Sequence, residues 1–411
     1  MIRKFFVWLH RWVGLLMALF LVVVGLTGSI LAFKTDFERL LTPDFFASPP
    51  TADAKPLDLA TLAERAESEM PHARTGYFNL EQGRVGMHMV ARRNPASGKP
   101  YDLGDDPLFL DPWTGKRLIH LHGGAYAEWR YKLIPFIYDL HTSMALGNIG
   151  SWTLGIVALA WTLDTFYAIY LTFPTVFSRF FRKWMPAWKI KWPSAPFRLN
   201  FDLHRASGLW FAPLLFIFAW SSVMFNLGPV YERVTSWIFE YDRMDLETIL
   251  PTRQNDSPRL NWHEGLHKSE EAVQELAKQY GITIGEPFGF GYMAELGAYT
   301  YSVASNRNFG KATWPGQFGV WVDGDTGALQ KAEVPGRGRT GNTISDYLYV
   351  LHFGDLHGWL VYRILVFTLG IIMTLLSVTG IYIWWKKRVG RKTQALRKPV
   401  LPLKEKAGHV T

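Results

Sequence analysis

The chain carries 12 histidines and no cysteine among 411 residues, so thiolate ligands, disulfides and a cysteine nucleophile are excluded and imidazole is left for metal chemistry. One histidine pattern is local. Within "LNWHEGLHKSEEAVQEL" the order His263, Glu264, His267 puts two imidazoles on one helical face at i and i+4, able to share a zinc, with Glu264 placed to deprotonate a metal-bound water. Zinc hydrolysis also needs a third protein ligand and a rigid apolar helix, whereas Gly265 interrupts this motif and charged residues follow it. The favoured expectation is the frayed, solvated start of an amphipathic helix that continues through Ala272, Val273, Leu276 and Ala277. A membrane-anchored zinc peptidase stays as the alternative, beside a non-catalytic binding or sensory module.

The second pattern is positional. His10, His141, His204, His352 and His357 lie at or near the ends of long apolar runs. Imidazole is the usual axial ligand of a b-type haem in a helical bundle, and two from different helices complete a six-coordinate iron. Interfacial histidines and arginines that merely reach the headgroups are the plainer explanation for any one of these residues. Four in matched positions favour ligation.

The elements that must position them follow from composition. Hydrophobic residues make up 48% of the chain, with 18 Trp and 28 Phe, and four stretches carry the excess: Phe5 to Phe33, Ile149 to Phe173, Leu209 to Leu227 and Leu360 to Trp385. Each approaches the ~20 apolar residues a bilayer core requires of a helix, so the expected fold class is a membrane α-helical protein with a four-helix transmembrane bundle. The run after "MIRKFF" exceeds the ~7 to 15 residues of a signal-peptide core and reads as an uncleaved first span. Basic residues set the orientation. Arg3, Lys4 and Arg11 flank the first span, Arg179, Arg182, Lys183, Lys189, Lys191, Arg198 and Arg205 fill the second-to-third connection, and Lys386, Lys387, Arg388, Arg391 and Lys392 follow the fourth. All lie on one side, which places both termini in the cytoplasm. The formal charge of +9 is thus an orientation signal with membrane lipids as partners, and no nucleic-acid module accompanies it.

The halves of the chain resemble each other. "WLHRWVGLLMALF" at Trp8 returns as "DLHRASGLWFAPLLF" at Asp202, and "YDLHTSMALGNIG" at Tyr138 as "YVLHFGDLHGWLV" at Tyr349, which suggests a duplicated two-helix unit with a shared site between its copies. The long connections match too. "LDLATLAERAESEM" and "SEEAVQELAKQYG" read as amphipathic helices, "RVGMHMVA" and "YTYSVAS" as strands, and "LDPWTGKRL" and "VDGDTGALQ" as Thr-Gly turns. The resulting division assigns 1–33, 139–174, 204–227 and 351–386 to spans, 34–138 and 228–350 to two small α+β modules outside the membrane, and 175–203 and 387–411 to basic cytoplasmic segments. In this scheme His10 and His204 hold a cytoplasmic-side haem, and His141 and His352 an outer one, two b-type haems in all. His357 lies about a turn and a half beyond His352 and can replace it or contact a propionate. Arg11, Arg205 and Arg363 are candidates for haem propionates, and Asp164, a carboxylate inside the second span, for orienting a ligand or carrying a proton.

Taken together, "LHRWVGL", "LHRASGLW", "LHFGDLHG" and "SVTGIYIWWKKR", with the Thr-Gly hairpins between them, resemble the PepSY-associated transmembrane family, and within it the inner-membrane ferric-siderophore reductases of the ferrioxamine type. The resemblance spans nearly the whole chain. It implies PepSY-like periplasmic modules and a di-haem oxidoreductase that carries electrons outward and reduces ferric iron in a periplasmic siderophore, with His10, His141, His204 and His352 as the matched histidines. Ferrous iron is then released, because oxygen-donor chelators bind it weakly. Where related chains follow "LHFG" with a glycine-rich turn, this one has His357, which leaves the outer ligand open between His352 and His357. One haem cannot bridge a hydrocarbon core of ~30 Å, whereas two at different depths can relay electrons. Aromatics of the connections, Trp113, Tyr126, Trp129, Trp262, Trp314 and Trp321, are candidates to line a platform for the chelate, while His120 and His122 read as loop histidines. No cysteine cluster is present, so an iron–sulfur centre is not encoded and a quinol or a separate reductase must donate the electrons.

Overall fold

In hydrocarbon every backbone N–H and C=O must find its partner within the segment itself, and the apolar runs accordingly become helices in the computed structural model. The structure describes residues 1–104, 107–119, 125–242, 254–307, 318–354 and 359–396. The chain opens with α1 (Ile2–Leu31) and a short α2 (Lys34–Leu41). The first connection supplies α3 (Leu59–Glu69) and strands β1 (Ala73–Thr75), β2 (Phe78–Glu81), β3 (Arg84–Met87), β4 (Met89–Ala91) and β5 (Leu108–Leu110). Helices α4 (Ala125–Ser143), α5 (Gly147–Thr172), α6 (Phe180–Trp184), α7 (Pro196–Asn226) and α8 (Gly228–Ile238) follow. The second connection gives α9 (Trp262–Tyr280), β6 (Ile284–Met293), β7 (Ala298–Ser305), β8 (Phe318–Asp323) and β9 (Leu329–Glu333), before α10 (Thr340–Phe353) and α11 (Leu360–Leu396). Four helices, Ile2–Leu31, Gly147–Thr172, Pro196–Asn226 and Leu360–Gly390, are long and apolar enough to cross a membrane. This is a multi-pass membrane protein.

Two of the expected spans begin differently from the sequence reading. The stretch expected to run from 139 to 174 is broken, because Met144 and Ala145 take left-handed conformations (φ 53° and 54°) that end α4 before α5 starts. The stretch from 351 is likewise broken at Gly354 (φ 72°), which caps α10. His141 and His352 therefore sit in the last turns of helices that precede the spans, and do not start the spans themselves.

The chain divides into two compact units. One comprises Met1–Leu26, Val157–Phe216 and Leu369–Thr411, and its described elements are helical. Met17, Leu21 and Val157 form a buried cluster there, packed by Val13, Phe20, Val24, Ala160, Trp161 and Met373.

The other unit, Thr27–Ile156 with Ile217–Thr368, contains a seven-stranded sheet in the order β5-β3-β2-β6-β7-β8-β9, all its neighbours antiparallel. The strands of the two connections thus merge into one sheet, joined where Phe78 pairs with Phe290 and Asn79 with Gly289. Helices α3 and α9 bury Leu62, Ala63, Ala66, Leu266, Val273 and Ala277 in one core with Val85, Phe290, Val320 and Val322. Asp58 caps α3 by accepting from the Thr61 N–H at 2.9 Å. The turns expected around the Thr-Gly pairs are present: Asp111 accepts from the Trp113 N–H and Asp323 from the Thr326 N–H, each at 2.8 Å. At the start of β3 Arg84 bonds Glu38 and Glu81, both at 2.6 Å, with its guanidinium over the rings of Phe46 and Phe109.

Paired histidines as a candidate functional site

Two pairs of imidazoles lie close together, one pair within each unit. Rings of His10 on α1 and His204 on α7 have centroids 6.3 Å apart, and those of His141 on α4 and His352 on α10 are 6.2 Å apart. Two metal–imidazole bonds of ~2.0 Å in line, with ~1.1 Å from each ring centre to Nε2, require a separation of ~6.2 Å. Both pairs have it.

The opposite nitrogen of each ring is anchored. His10 Nδ1–H donates to Asp164 at 2.8 Å, and Asp164 is buried on α5. His204 Nδ1 lies 3.1 Å from the Leu376 carbonyl and 3.0 Å from Thr379 Oγ1 on α11. A carbonyl only accepts, so the proton sits on Nδ1 and the lone pair on Nε2. His352 Nδ1 is 2.7 Å from Ser221 Oγ, whose own hydrogen goes to the Phe218 carbonyl, which leaves the serine oxygen to accept. Thr27 Oγ1 stands 3.1 Å from His141 Nδ1. Anchoring one ring nitrogen fixes tautomer and orientation, as metal-ligating histidines require.

Space beside the rings is kept by glycine. A methyl on Gly28 would lie 2.9 Å from His141 Cε1, and one on Gly380 would lie 3.3 Å from His204 Cε1. A cavity of about 450 Å³ opens beside the first pair, lined by both rings and by Gly14 and Gly208, each one helical turn beyond its histidine. That volume falls in the range of cofactor sites, ~300–1,000 Å³. Arg3, Arg11, Arg205 and Lys387 supply positive charge to its wall. Arg205 Nη2 bonds Asp202 and the Pro186 carbonyl, while its Nε is buried with no hydrogen-bond partner, as expected of a donor that meets a ligand anion. The donor set, the open glycine faces and the unpaired guanidinium nitrogen fit a haem with its propionates at this cavity.

Among the sequence candidates, His10 and His204 are brought together, as are His141 and His352, while His357, His120, His122 and Trp314 lie outside the described residues. Arg11 and Arg205 line the cavity of the first pair, while Arg363, a candidate for the outer haem, lies in the unit of His141 and His352, where it donates to the Ala32 carbonyl at the end of α1 and pairs with Asp36. Trp262, expected on a substrate platform, is instead a core residue, 6% exposed and edge-on to Phe290 and Tyr299, because it starts the buried stripe of α9. Trp321 is buried too, and Trp113 donates to the Ala54 carbonyl. Trp129 is exposed.

The "HEGLH" stretch has a different purpose from the one its pattern suggests. Glu264 accepts from the Asn261 N–H, and Asn261 from the Glu264 N–H, both at 2.9 Å, a capping box that starts α9 firmly where fraying was expected. Gly265 lies against the Tyr299 ring, 2.6 Å from where a methyl would stand. His263 approaches Glu64 (3.4 Å) and Asp58 (3.8 Å), and His267 approaches Glu271 (3.3 Å), with the two imidazoles more than half exposed. No group of three potential metal ligands occurs among the described residues.

Sequence reasoning missed Thr27, Ser221 and Thr379 as partners of Nδ1, and left the role of Asp164 open. One signal was available: Thr27 and Ser221 each follow the histidine of their "LHR" by seventeen residues (10 to 27, 204 to 221). Beyond the spans, Asp346 on α10 is pushed up to about 7, chiefly by burial, with Glu333 adding to it.

A comparison with curated proteins finds no match. The family model described as "PepSY-associated TM region" matches residues 7–387, a range that contains both histidine pairs and all four anchors. The chain belongs to the PepSY-associated transmembrane family.

Proposed function

We propose that the protein is a di-haem, b-type transmembrane electron carrier that takes electrons on the cytoplasmic side of a bacterial inner membrane and reduces ferric iron held by a siderophore on the other side. The observation that carries this reading is the separation of 6.3 Å and 6.2 Å within two histidine pairs whose Nδ1 atoms are all engaged. When bound, the haems would supply one-electron transfer between ferric and ferrous states. His10 and His204 would ligate one, His141 and His352 the other. Arg11 and Arg205, with Lys387 on the same wall, would neutralise propionates, and the hydroxyls of Thr27, Ser221 and Thr379 would hold Nε2 toward the iron.

A duplicated two-helix unit accounts for the arrangement. Within each half, a polar side chain of a span holds a histidine of a different helix: Thr27 holds His141 and Asp164 holds His10, while Ser221 holds His352 and Thr379 holds His204. Each pair takes one histidine from each half. The basic segments support cytoplasmic termini. The donor would be a membrane quinol or a separate reductase, and the acceptor a ferric chelate that takes one electron per iron and then holds ferrous iron weakly.

Absorption spectroscopy of the purified, detergent-solubilised chain tests the proposal. Two haems per chain with reducible b-type bands are expected, one lost in His10→Ala and one in His141→Ala, and ferric siderophore should reoxidise the reduced protein. A folded chain without haem would overturn the proposal in favour of a non-catalytic membrane module.

A further inference from the structure

Four anchors hold the four imidazoles, and they are not alike. His141 and His352 face the hydroxyls of Thr27 and Ser221, and His204 faces the Thr379 hydroxyl and a carbonyl. Among the described contacts of the four rings, the one to a carboxylate is at His10, with Asp164 Oδ1 at 2.8 Å and Oδ2 at 3.0 Å. Asp164 is 7% exposed, so little water screens it. A carboxylate takes more of the Nδ1 proton than a hydroxyl does, making the ring a more basic ligand. A more basic ligand, and a fixed negative charge close by, stabilise ferric over ferrous iron.

We infer that Asp164 is a positioning residue that acts through His10 to lower the reduction potential of iron bound by the first pair, and so favours passage of an electron from the first pair to the second. The inference rests on the haem reading above. The step would balance within the protein: iron held by His10 and His204 would give up one electron and iron held by His141 and His352 would take it, with no proton required. The basic residues of the same cavity, Arg3, Arg11, Arg205 and Lys387, act in the opposite sense. Arg205 is already shared with Asp202, and propionates would offset others. Removing the charge of Asp164 alone therefore isolates its share.

Potentiometric titration of the detergent-solubilised holoprotein provides the test. In Asp164→Asn, one of the two midpoint potentials should rise by at least a tenfold change in the reduced-to-oxidised ratio, about 59 mV for one electron, and it should be the one that persists in His141→Ala. Thr379→Asp, which brings a carboxylate to His204, should lower that same potential and covers the case in which Asp164→Asn does not fold. Potentials that ignore both substitutions, or a shift confined to the haem lost in His141→Ala, would overturn the inference. A chain purified without haem would overturn the reading beneath it as well, and haem counted per chain separates the two failures.

Discussion

Gly28→Ala is a single methyl added to α1, and its effect can be worked from the structure. The new carbon would stand 2.9 Å from Cε1 and 3.4 Å from Nδ1 of His141. Carbon atoms pack at ~3.5–4.0 Å, so the ring must withdraw by about 0.6 Å from its 2.9 Å contact. Ligand distances at a metal site tolerate about 0.2 Å, and the same retreat would stretch the 3.1 Å contact to Thr27 to about 3.7 Å, beyond hydrogen-bond range. Gly380→Ala is the graded control, because its methyl would meet His204 Cε1 at 3.3 Å and asks for only about 0.2 Å. In a helix interior alanine is favoured over glycine by up to ~1 kcal/mol, so neither change should unwind its helix. Haem counted per chain, with far-ultraviolet circular dichroism as the folding control, should fall from two to one in Gly28→Ala and stay at two in Gly380→Ala. Two haems with unaltered spectra in Gly28→Ala would refute the geometry on which the second pair rests.

Three further outcomes follow from packing and charge in the sheet-containing unit. Gly265→Ala should destabilise by about 1–3 kcal/mol through overpacking on Tyr299, whereas helix propensity alone would make it stabilising; thermal unfolding gives the sign. Arg84→Met leaves Glu38, whose side chain is 12% exposed, with Lys34 at 3.4 Å as its remaining cation, and should cost about 2 kcal/mol, with recovery in the double variant that adds Glu38→Gln; an unchanged melting temperature would discount the ion pair. Asp346 is held at about 7 against an ordinary 3.8, so the fold prefers its protonated form. Its contribution is complete below pH ~4 and is lost as pH rises through about 7. Melting temperature should therefore decline across that window, and Asp346→Asn should remove this part of the slope.

The features that could be read from sequence were those with a large energetic cost. A bilayer core demands ~20 apolar residues in succession, and four such runs are unmistakable. One imidazole at the end of such a run is unremarkable, and it was the recurrence of His10 and His141 as His204 and His352 in the second half that singled the four out. The breaks near Met144 and Gly354 were less legible, because Met and Ala seldom take left-handed backbone and nothing in "SMALG" reserves it for them. Trp262 was left between platform and core for lack of phase. At the first position of an amphipathic helix an aromatic can face either way, and only the capping box of Asn261 and Glu264 fixes which side is inward. The joining of β2 to β6 pairs two residues on each strand, too short a register to announce itself across the length of chain between them.

The anchors of the imidazoles were hidden for a different reason. Serine and threonine inside spans usually bond the carbonyl one turn back, as Thr162 and Ser222 do here, so a hydroxyl turned toward a neighbouring helix looks the same in sequence. Thr379 does both at once, donating to the Leu375 carbonyl while its oxygen meets His204. The dipeptide around it carries more information than the threonine alone. At Thr27-Gly28 and again at Thr379-Gly380, the hydroxyl grips Nδ1 of an imidazole while the glycine that follows leaves room for Cε1 of the same ring. The two residues act on one ring from one turn of helix, the first by attraction and the second by having no side chain. Either alone would be commonplace in a membrane span. Together, and in both halves of the chain, they mark the rings they hold, and a Thr-Gly pair in one apolar run with a histidine near the end of another is a more discriminating pattern than the histidine by itself.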